Sequence, residues 1–319
     1  MLSEIKKFIK AISDKAQLGA GFLLLGLFFF LLPGQNFYQT AGFNFKKPAL
    51  QILPFALPSP APYPTKTTNN PPPYLTAGSA LVLDLASSVI LYEKSPNERF
   101  APASTTKIMT ALVGLDEYEM GDILTVKTVE EEGRVMGLKK GERLTFENLL
   151  YGLLVHSAND AAITIAENYP GGREEFIRTM NRKAKKLNMK NTHFENETGF
   201  EQDDHYMSSI DLAHLVIHSL NNPSFLKTVE TKRIIVVDLT GKEAHQLENV
   251  NELLGKIPGL YGGKTGWTEN AGECLAAATE RQGHKIITVI LKSEDRFGET
   301  EKLINWAFAN HQWSVPSTP

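Results

Sequence analysis

Three short patterns in this chain pair residue types capable of nucleophilic chemistry. The first, Ser-x-x-Lys, occurs three times, at Ser3–Lys6, Ser104–Lys107 and Ser224–Lys227. Residues three apart on a helix share a face, so the lysine amine can reach the serine hydroxyl and take its proton. Ser3 adjoins an apolar N-terminal run, and Ser224 follows Pro223 in a polar surround. Only Ser104-Thr-Thr-Lys107 opens a stretch apolar enough for a buried helix, whose free N–H groups would favour a developing oxyanion. The second pattern, Ser-x-Asn, also occurs three times, at Ser95–Asn97, Ser157–Asn159 and Ser219–Asn221. Ser157-Ala-Asn159 falls in a tight break between two apolar segments, where polar side chains can face a cleft. The third, Lys264-Thr265-Gly266, is unique; Gly262-Gly263 precede it and Trp267 follows. Glycines around a Lys-Thr pair suit a strand that a substrate backbone approaches closely. Singly, each pattern is cheap.

The elements that must position these residues can be read from hydrophobic periodicity. Ser79–Leu85 and Val89–Glu93 form a hairpin signal around Ala86-Ser87-Ser88. Helices are predicted over Ser104–Leu115, Phe146–His156, Asn159–Asn168, Arg173–Leu187, Ser209–Leu220 and Glu299–Asn310. Asn159-Asp160 reads as an N-cap pair. Arg233–Leu239 reads as a strand, and Glu273–Glu280 with Lys285–Lys292 as a long hairpin around Gln282-Gly283. Strands at both ends with helices between predict an α+β fold: an antiparallel sheet flanked by helices, with a helical subdomain.

The front of the chain is different in kind. Leu18–Leu32 carries no charge and follows Lys6, Lys7, Lys10 and Lys15. A basic flank before an apolar run reads as a signal anchor or a signal peptide. Its 15 residues span roughly 22 Å of a ~30 Å hydrocarbon core, and snorkelling lysines can make up the rest. The nearest small-residue cleavage candidate, Thr40-Ala41-Gly42, lies well beyond it. Lys46, Lys47 and Lys66 on the far side leave the positive-inside signal weak. Ten of the 17 prolines fall between Pro33 and Pro73, which predicts an extended spacer. The expected organisation is therefore a cytoplasmic N-terminus over 1–17, an anchor or signal over 18–32 and a Pro-rich linker over 33–74. A catalytic domain over 75–310 and a tail over 311–319 follow. A net charge of −3 makes no case for a nucleic-acid partner. The single cysteine, Cys274, excludes an intrachain disulfide and a Cys-based zinc site.

Taken in order, Ser-x-x-Lys, Ser-x-Asn and Lys-Thr-Gly form the motif set of penicillin-binding proteins and class A β-lactamases. Longer segments point the same way: Ala101-Pro-Ala-Ser-Thr-Thr-Lys107, Leu154-Val-His-Ser-Ala-Asn-Asp-Ala-Ala162, Asn196-Glu-Thr-Gly199 with His205-Tyr206, Gly263-Lys-Thr-Gly-Trp-Thr268, and Arg296-Phe-Gly-Glu-Thr-Glu-Lys302. From about Ala77 to Ala309 the chain resembles the serine D-Ala-D-Ala carboxypeptidases, the low-molecular-weight penicillin-binding proteins. The resemblance implies a β-lactamase/transpeptidase-like fold and removal of the terminal D-alanine from peptidoglycan stem pentapeptides. It also implies β-lactams as covalent inhibitors and requires no cofactor or metal. Ser104 would be the nucleophile and Lys107 its base. Ser157 and Asn159 would line the cleft, relaying a proton and holding the substrate amide. Lys264 would supply positive charge, while Thr265 and Arg296 would hold the terminal carboxylate. In Gly266-Trp267, the Trp267 N–H would complete an oxyanion hole with that of Ser104. Such enzymes often end in a β-rich stalk and an amphipathic helix. Here about ten residues follow the last predicted helix, leaving the N-terminal segment as the expected anchor of an extracytoplasmic domain.

As a base near pH 7, Lys107 needs its pKa lowered from about 10.4 to ~7. Packing beside Ile108, Met109 and Leu112 has the required sign, and Lys264 as a second cation is expected to add to it. Rival readings differ in deacylation and substrate. A class A β-lactamase uses a glutamate to activate water, but no Glu-x-x-Leu-Asn segment lies between Ser157 and Lys264, and the second motif is Ser-Ala-Asn. D,D-endopeptidase action on cross-links would use the same site. A catalytically silent, anchored wall-binding protein would be favoured by a missing motif residue. His214 and His218 stand at i, i+4 without a glutamate after His214, so they read as structural rather than metal ligands. His205 reads either as a cleft-edge residue or as a loop cap. Cys274, Trp306 and Phe308 read as core, and Lys183, Lys185 and Lys186 as a solvated helix end.

Overall fold

The continuous apolar runs near both ends of the domain pair with one another. The structure is a computed structural model that describes residues 2–31 and 62–315. The chain divides into Met1–Ser59 and Pro60–Pro319. What is described of the first unit is one helix, α1 (Leu2–Leu31), and its Ser13–Leu31 part is long and apolar enough to cross a membrane. Leu32, residues 33–61 of the expected linker, including Thr40-Ala41-Gly42, and residues 316–319 of the expected tail lie outside the described residues.

In the second unit, strands β1 (Tyr63–Lys66), β2 (Ser79–Asp84) and β3 (Ile90–Lys94) lead into α2 (Lys107–Glu117). The ribbon β4 (Ile123–Thr125) and β5 (Arg143–Thr145) precedes α3 (Phe146–Leu154), α4 (Asn159–Asn168) and α5 (Gly172–Lys186). Then come α6 (Ser209–Leu220), α7 (Pro223–Val229) and the ribbon β6 (Arg233–Val237) with β7 (Ala244–Glu248). The chain returns through β8 (Leu260–Thr268), β9 (Gly272–Arg281), β10 (His284–Ser293), α8 (Arg296–Asn310) and β11 (His311–Ser314).

The main sheet is antiparallel, in the order β3-β2-β10-β9-β8. All six residues of β2 are buried, as in a strand covered on both faces. The period of two divides its side chains. Leu81, Leu83, Ala276, Ala278, Ile287 and Val289 face the larger core, shared with α2–α6. Ala80, Val82, Leu275, Ala277, Ile286 and Ile290 face a smaller core under α8, with Leu303, Ile304 and Ala307. The α+β architecture with a helical subdomain is as expected.

Helix starts follow capping chemistry. Ser208 Oγ accepts from Asp211 N and Asn222 Oδ1 from Ser224 N, with Pro223 in the first turn. Asp295 Oδ1 accepts from Gly298 N at 2.8 Å, so α8 begins at Arg296, a turn before the expected Glu299. The helix α7 was not anticipated, since its seven residues are too few to show a period.

Two expected boundaries are corrected. The linker was expected to run to residue 74 and the tail to begin at 311, but Tyr63–Lys66 pairs antiparallel with His311–Ser314. Proline richness hid β1. In a two-stranded ribbon both strands are edges, where a residue lacking an N–H, here Pro64, is tolerated. Trp306 Nε1 donates to Asn70 O and the Glu299 carboxylate accepts from the Thr76 and Ala77 N–H groups, so this segment lies along the domain.

Candidate active site

Ser104 sits in a 3-10 turn, Ala103–Thr106, that runs directly into α2. The predicted helix thus starts three residues late, at Lys107. The pairing survives because side chains three apart eclipse one another in a 3-10 turn. Ala103 adopts φ +46°, and Pro102 O accepts both Thr105 N and Thr105 Oγ1. A left-handed residue just before Ser104 turns its hydroxyl out of the helical stack, and Ser104 lines a cleft of about 1290 Å3.

Lys107 is wholly buried beneath it. Its Nζ lies 2.9 Å from Ser104 Oγ, 2.7 Å from Asn159 Oδ1 and 2.7 Å from Thr198 O. The amide and carbonyl oxygens can only accept. A neutral amine has two N–H donors and one lone pair, so donating to these two oxygens leaves the lone pair for the Ser104 hydroxyl. Burial lowers the Lys107 pKa from 10.5 to about 7, against the pull of the Glu197 and Asp160 carboxylates. Lys264, the second cation expected to add to this depression, is itself held well below its ordinary value by burial first, then by Lys107, Arg296 and Arg134, and the repulsion between the two buried amines is mutual.

The second motif occupies the break between α3 and α4, where Ser157 takes φ +62°. Lys264, buried in β8, donates to Ser157 Oγ at 2.7 Å and to Thr265 O at 2.9 Å. The last strand of the sheet thereby joins the helical subdomain. Gly266 makes the approach possible: a Cβ there would stand 3.0 Å from the Ala103 Cβ, Pro102 O and Ser104 N. Thr265, Gly266 and Trp267 line the cleft, with the Trp267 side chain 63% exposed at its mouth. Arg296 also lines it, and its Nη1 donates to Gly266 O at 2.9 Å. All nine residues singled out from the sequence converge: seven line the cleft, and Lys107 and Lys264 lie buried beneath it.

Sequence reasoning missed several supports. Thr198 contributes a backbone oxygen, for which no side-chain signature exists. Asp160 was read with Asn159 as a helix cap, and that reading is corrected: the cap position falls on Ala158, without a side-chain cap bond. Asp160 instead accepts from the N–H groups of Met136, Gly137 and Leu138, clamping the loop between β4 and β5. Asn159 Oδ1 accepts from Lys107 and its Nδ2 donates to Glu132 O, which leaves one amide hydrogen and one oxygen lone pair free. His205 does not line the cleft. It is buried behind the Ser104 turn against Thr106 Oγ1, 2.9 Å away, and burial lowers its pKa to about 4. His214 and His218 are exposed on α6. Cys274 is buried, and burial raises its thiol to about 11.

Asp160→Ala removes the acceptor of three loop amides. A loss of about 2–3 kcal/mol in stability is expected. Because the Asp160 carboxylate favours charged Lys107, its removal should also lower the pH at which the amine loses its charge. Denaturant unfolding and a pH titration of the Lys107 amine check the two effects separately.

A Ser–Lys pair at the join of an antiparallel sheet and a helical subdomain, closed by a Lys-Thr-Gly strand, defines a penicillin-recognising D,D-peptidase architecture. Residues 65–295 match the family model described as D-alanyl-D-alanine carboxypeptidase, peptidase S11, and the chain belongs to that family. It is 35% identical over 246 residues to the D-alanyl-D-alanine carboxypeptidase DacF of Bacillus subtilis, covering 74% of this chain and 63% of that one. It is 30% identical to the D-alanyl-D-alanine endopeptidase of Pseudomonas aeruginosa, covering 79% of this chain and 86% of that one. The crystal structure of the Streptomyces K15 DD-transpeptidase superposes with a TM-score of 0.71 at 30% identity, covering 75% of this chain and all of that one. The chain thus spans less than two thirds of the length of DacF, but the whole of the transpeptidase.

Proposed function

We propose that this protein is a serine D-Ala-D-Ala carboxypeptidase that removes the terminal D-alanine from peptidoglycan stem pentapeptides. The observation that carries the reading is the buried Lys107 amine, 2.9 Å from Ser104 Oγ, with its pKa brought to about 7. Lys107 takes the Ser104 proton as Oγ attacks the carbonyl carbon of the penultimate D-alanine. The Ser104 and Trp267 N–H groups receive the oxyanion. Ser157, bonded to Lys264, relays the proton to the departing amine, and Asn159 holds the donor amide. Thr265 and Arg296 take the terminal carboxylate. Free D-alanine leaves, and water then releases the shortened stem from Ser104. β-Lactams acylate Ser104 in the same way. The helix α1 anchors the chain in the membrane, with the catalytic unit on the outer face.

The test uses the full chain in detergent. D-alanine should be released from a muramyl pentapeptide, and benzylpenicillin should add one penicilloyl group to the peptide containing Ser104. A folded protein that releases no D-alanine and carries no adduct at Ser104 would refute the reading. Endopeptidase action is the second reading, favoured by relatives of that name that the chain spans to 86% and 87% of their length. Adduct formation at Ser104 with release only from cross-linked dimers would select it.

A further inference from the structure

The loop between β4 and β5 is built to hold one residue still. Its base closes through Val126 N to Glu142 O and Gly141 N to Val126 O. Toward its tip, Asn159 N donates to Arg134 O at 2.7 Å and Asn159 Nδ2 to Glu132 O at 3.0 Å. Asp160 accepts the next three free amides, and His245 Nδ1 lies 2.9 Å from Met136 O. The backbone on both sides of Arg134 is therefore fixed to the same turn that carries Asn159.

The Arg134 side chain, by contrast, has no hydrogen-bond or ion-pair partner among the described residues, and it lines the cleft with Ser104. The other arginines there are engaged: Arg173 is 3.0 Å from the buried Glu197 carboxylate and Arg296 bonds Gly266 O. Of the carboxylates that line the cleft, Glu201 is spent on Asn270 and Glu195 accepts from Asp204 N, while Glu132 and Glu269 also border it. Next to Ser157, the His156 pKa is lowered by burial and then by Arg134 itself, and Arg134 carries a positive charge on this wall. A fixed backbone that presents an unpaired guanidinium to a cleft suits bidentate capture of a carboxylate.

Position decides which carboxylate. Thr265 and Arg296, which bonds Gly266 O, border the cleft on its β8 side, whereas Arg134 is held through Asn159 on the helical-subdomain side. This inference rests on the carboxypeptidase reading, in which the terminal carboxylate lies at the Arg296 end. The donor stem then leaves past Asn159. We infer that Arg134 is a specificity-determining residue that pairs with a carboxylate carried by the donor stem upstream of D-Ala-D-Ala. Two groups have that chemistry: a distal carboxylate on the residue before D-Ala-D-Ala, and the free α-carboxylate of a γ-linked glutamyl residue one place further.

Three synthetic pentapeptides separate the sources. One carries meso-diaminopimelate before D-Ala-D-Ala with a free γ-linked D-glutamate, one replaces diaminopimelate by lysine, and one amidates the glutamate α-carboxylate. The full chain is expected to prefer the stem with the recognised carboxylate by about tenfold in kcat/KM, mostly through KM. Arg134→Gln should bring that ratio close to one, and Arg134→Lys should keep part of it, since lysine retains charge without the fork. Full chain that releases D-alanine from all three without discrimination overturns the inference alone, as does Arg134→Gln that keeps the preference. Full chain that releases none from any stem refutes the carboxypeptidase reading and this inference together.

Discussion

Lys107→Met protein is expected to be acylated by benzylpenicillin about 10²- to 10⁴-fold more slowly than wild type, with a similar loss in D-alanine release. Methionine fills nearly the same buried volume, so packing against the larger core is kept. Two effects on stability oppose each other. Asn159 Oδ1 and Thr198 O lose their donor, but the unfavourable burial of an ionisable amine disappears as well. The rate is therefore the informative quantity, read by rapid-mixing acylation with a chromogenic β-lactam. A loss below tenfold would remove Lys107 from the role of base.

The wild-type pH profile follows from the same group. With a pKa of about 7, the amine is charged and has no free lone pair below that pH, so acylation falls as acid is added and levels off above it. The stability consequence has the same direction. The unfolded lysine binds its proton up to about pH 10.5, whereas the folded one releases it near 7. The unfolded chain binds more protons in that window, so this group's penalty is full below pH 7 and shrinks as pH rises toward 10.5. Acylation rates that stay flat from pH 5 to 9 would contradict the assignment.

What the sequence made legible was mostly local. Ser104 and Lys107 are three apart, and the helical geometry that pairs them needs only their own turn. The break at Ser157 and the glycine-bracketed strand at Lys264 could likewise be read in place. That the three meet followed from the resemblance, because Lys264 reaches Ser157 across 107 positions. Contacts of that separation leave no periodic trace. The same holds for β1, whose partner β11 lies about 250 positions away in a chain whose proline content argued against a strand. Asp160 shows a different limit. Its type and place fit a helix cap, and only the returning loop, 22–24 positions upstream, reveals what its oxygens hold. Burial as the cause of the Lys107 shift was legible from its apolar neighbours Ile108, Met109 and Leu112, whereas the opposing pull of Glu197 and Asp160 was not, since it depends on how the subdomains close over the amine.

Gly199→Ala is expected to cost about 3 kcal/mol or more and to slow acylation of Ser104 at least about tenfold, although residue 199 contributes no side chain to the site. Two penalties combine. Gly199 holds φ +91°, where an L side chain is strained. A Cβ there would stand 2.0 Å from Ala103 O and 2.4 Å from its carbonyl carbon, atoms of the backbone that cannot swing aside. Either the Ala103–Ser104 turn or the Asn196–Gly199 turn must therefore move. If the first moves, Ser104 Oγ leaves Lys107. If the second moves, Thr198 O leaves Lys107 Nζ, and the amine loses one of the two acceptors that direct its lone pair at the hydroxyl. Relief in either direction thus reaches the Ser–Lys pair. Thermal unfolding should show a Tm lower by roughly 6–12 °C. The acylation defect should persist well below that transition, because it arises from geometry in the folded protein. A variant with wild-type acylation at low temperature would show that the turns can separate without disturbing the pair. The close approach of Gly199 to Ala103 would then serve stability alone.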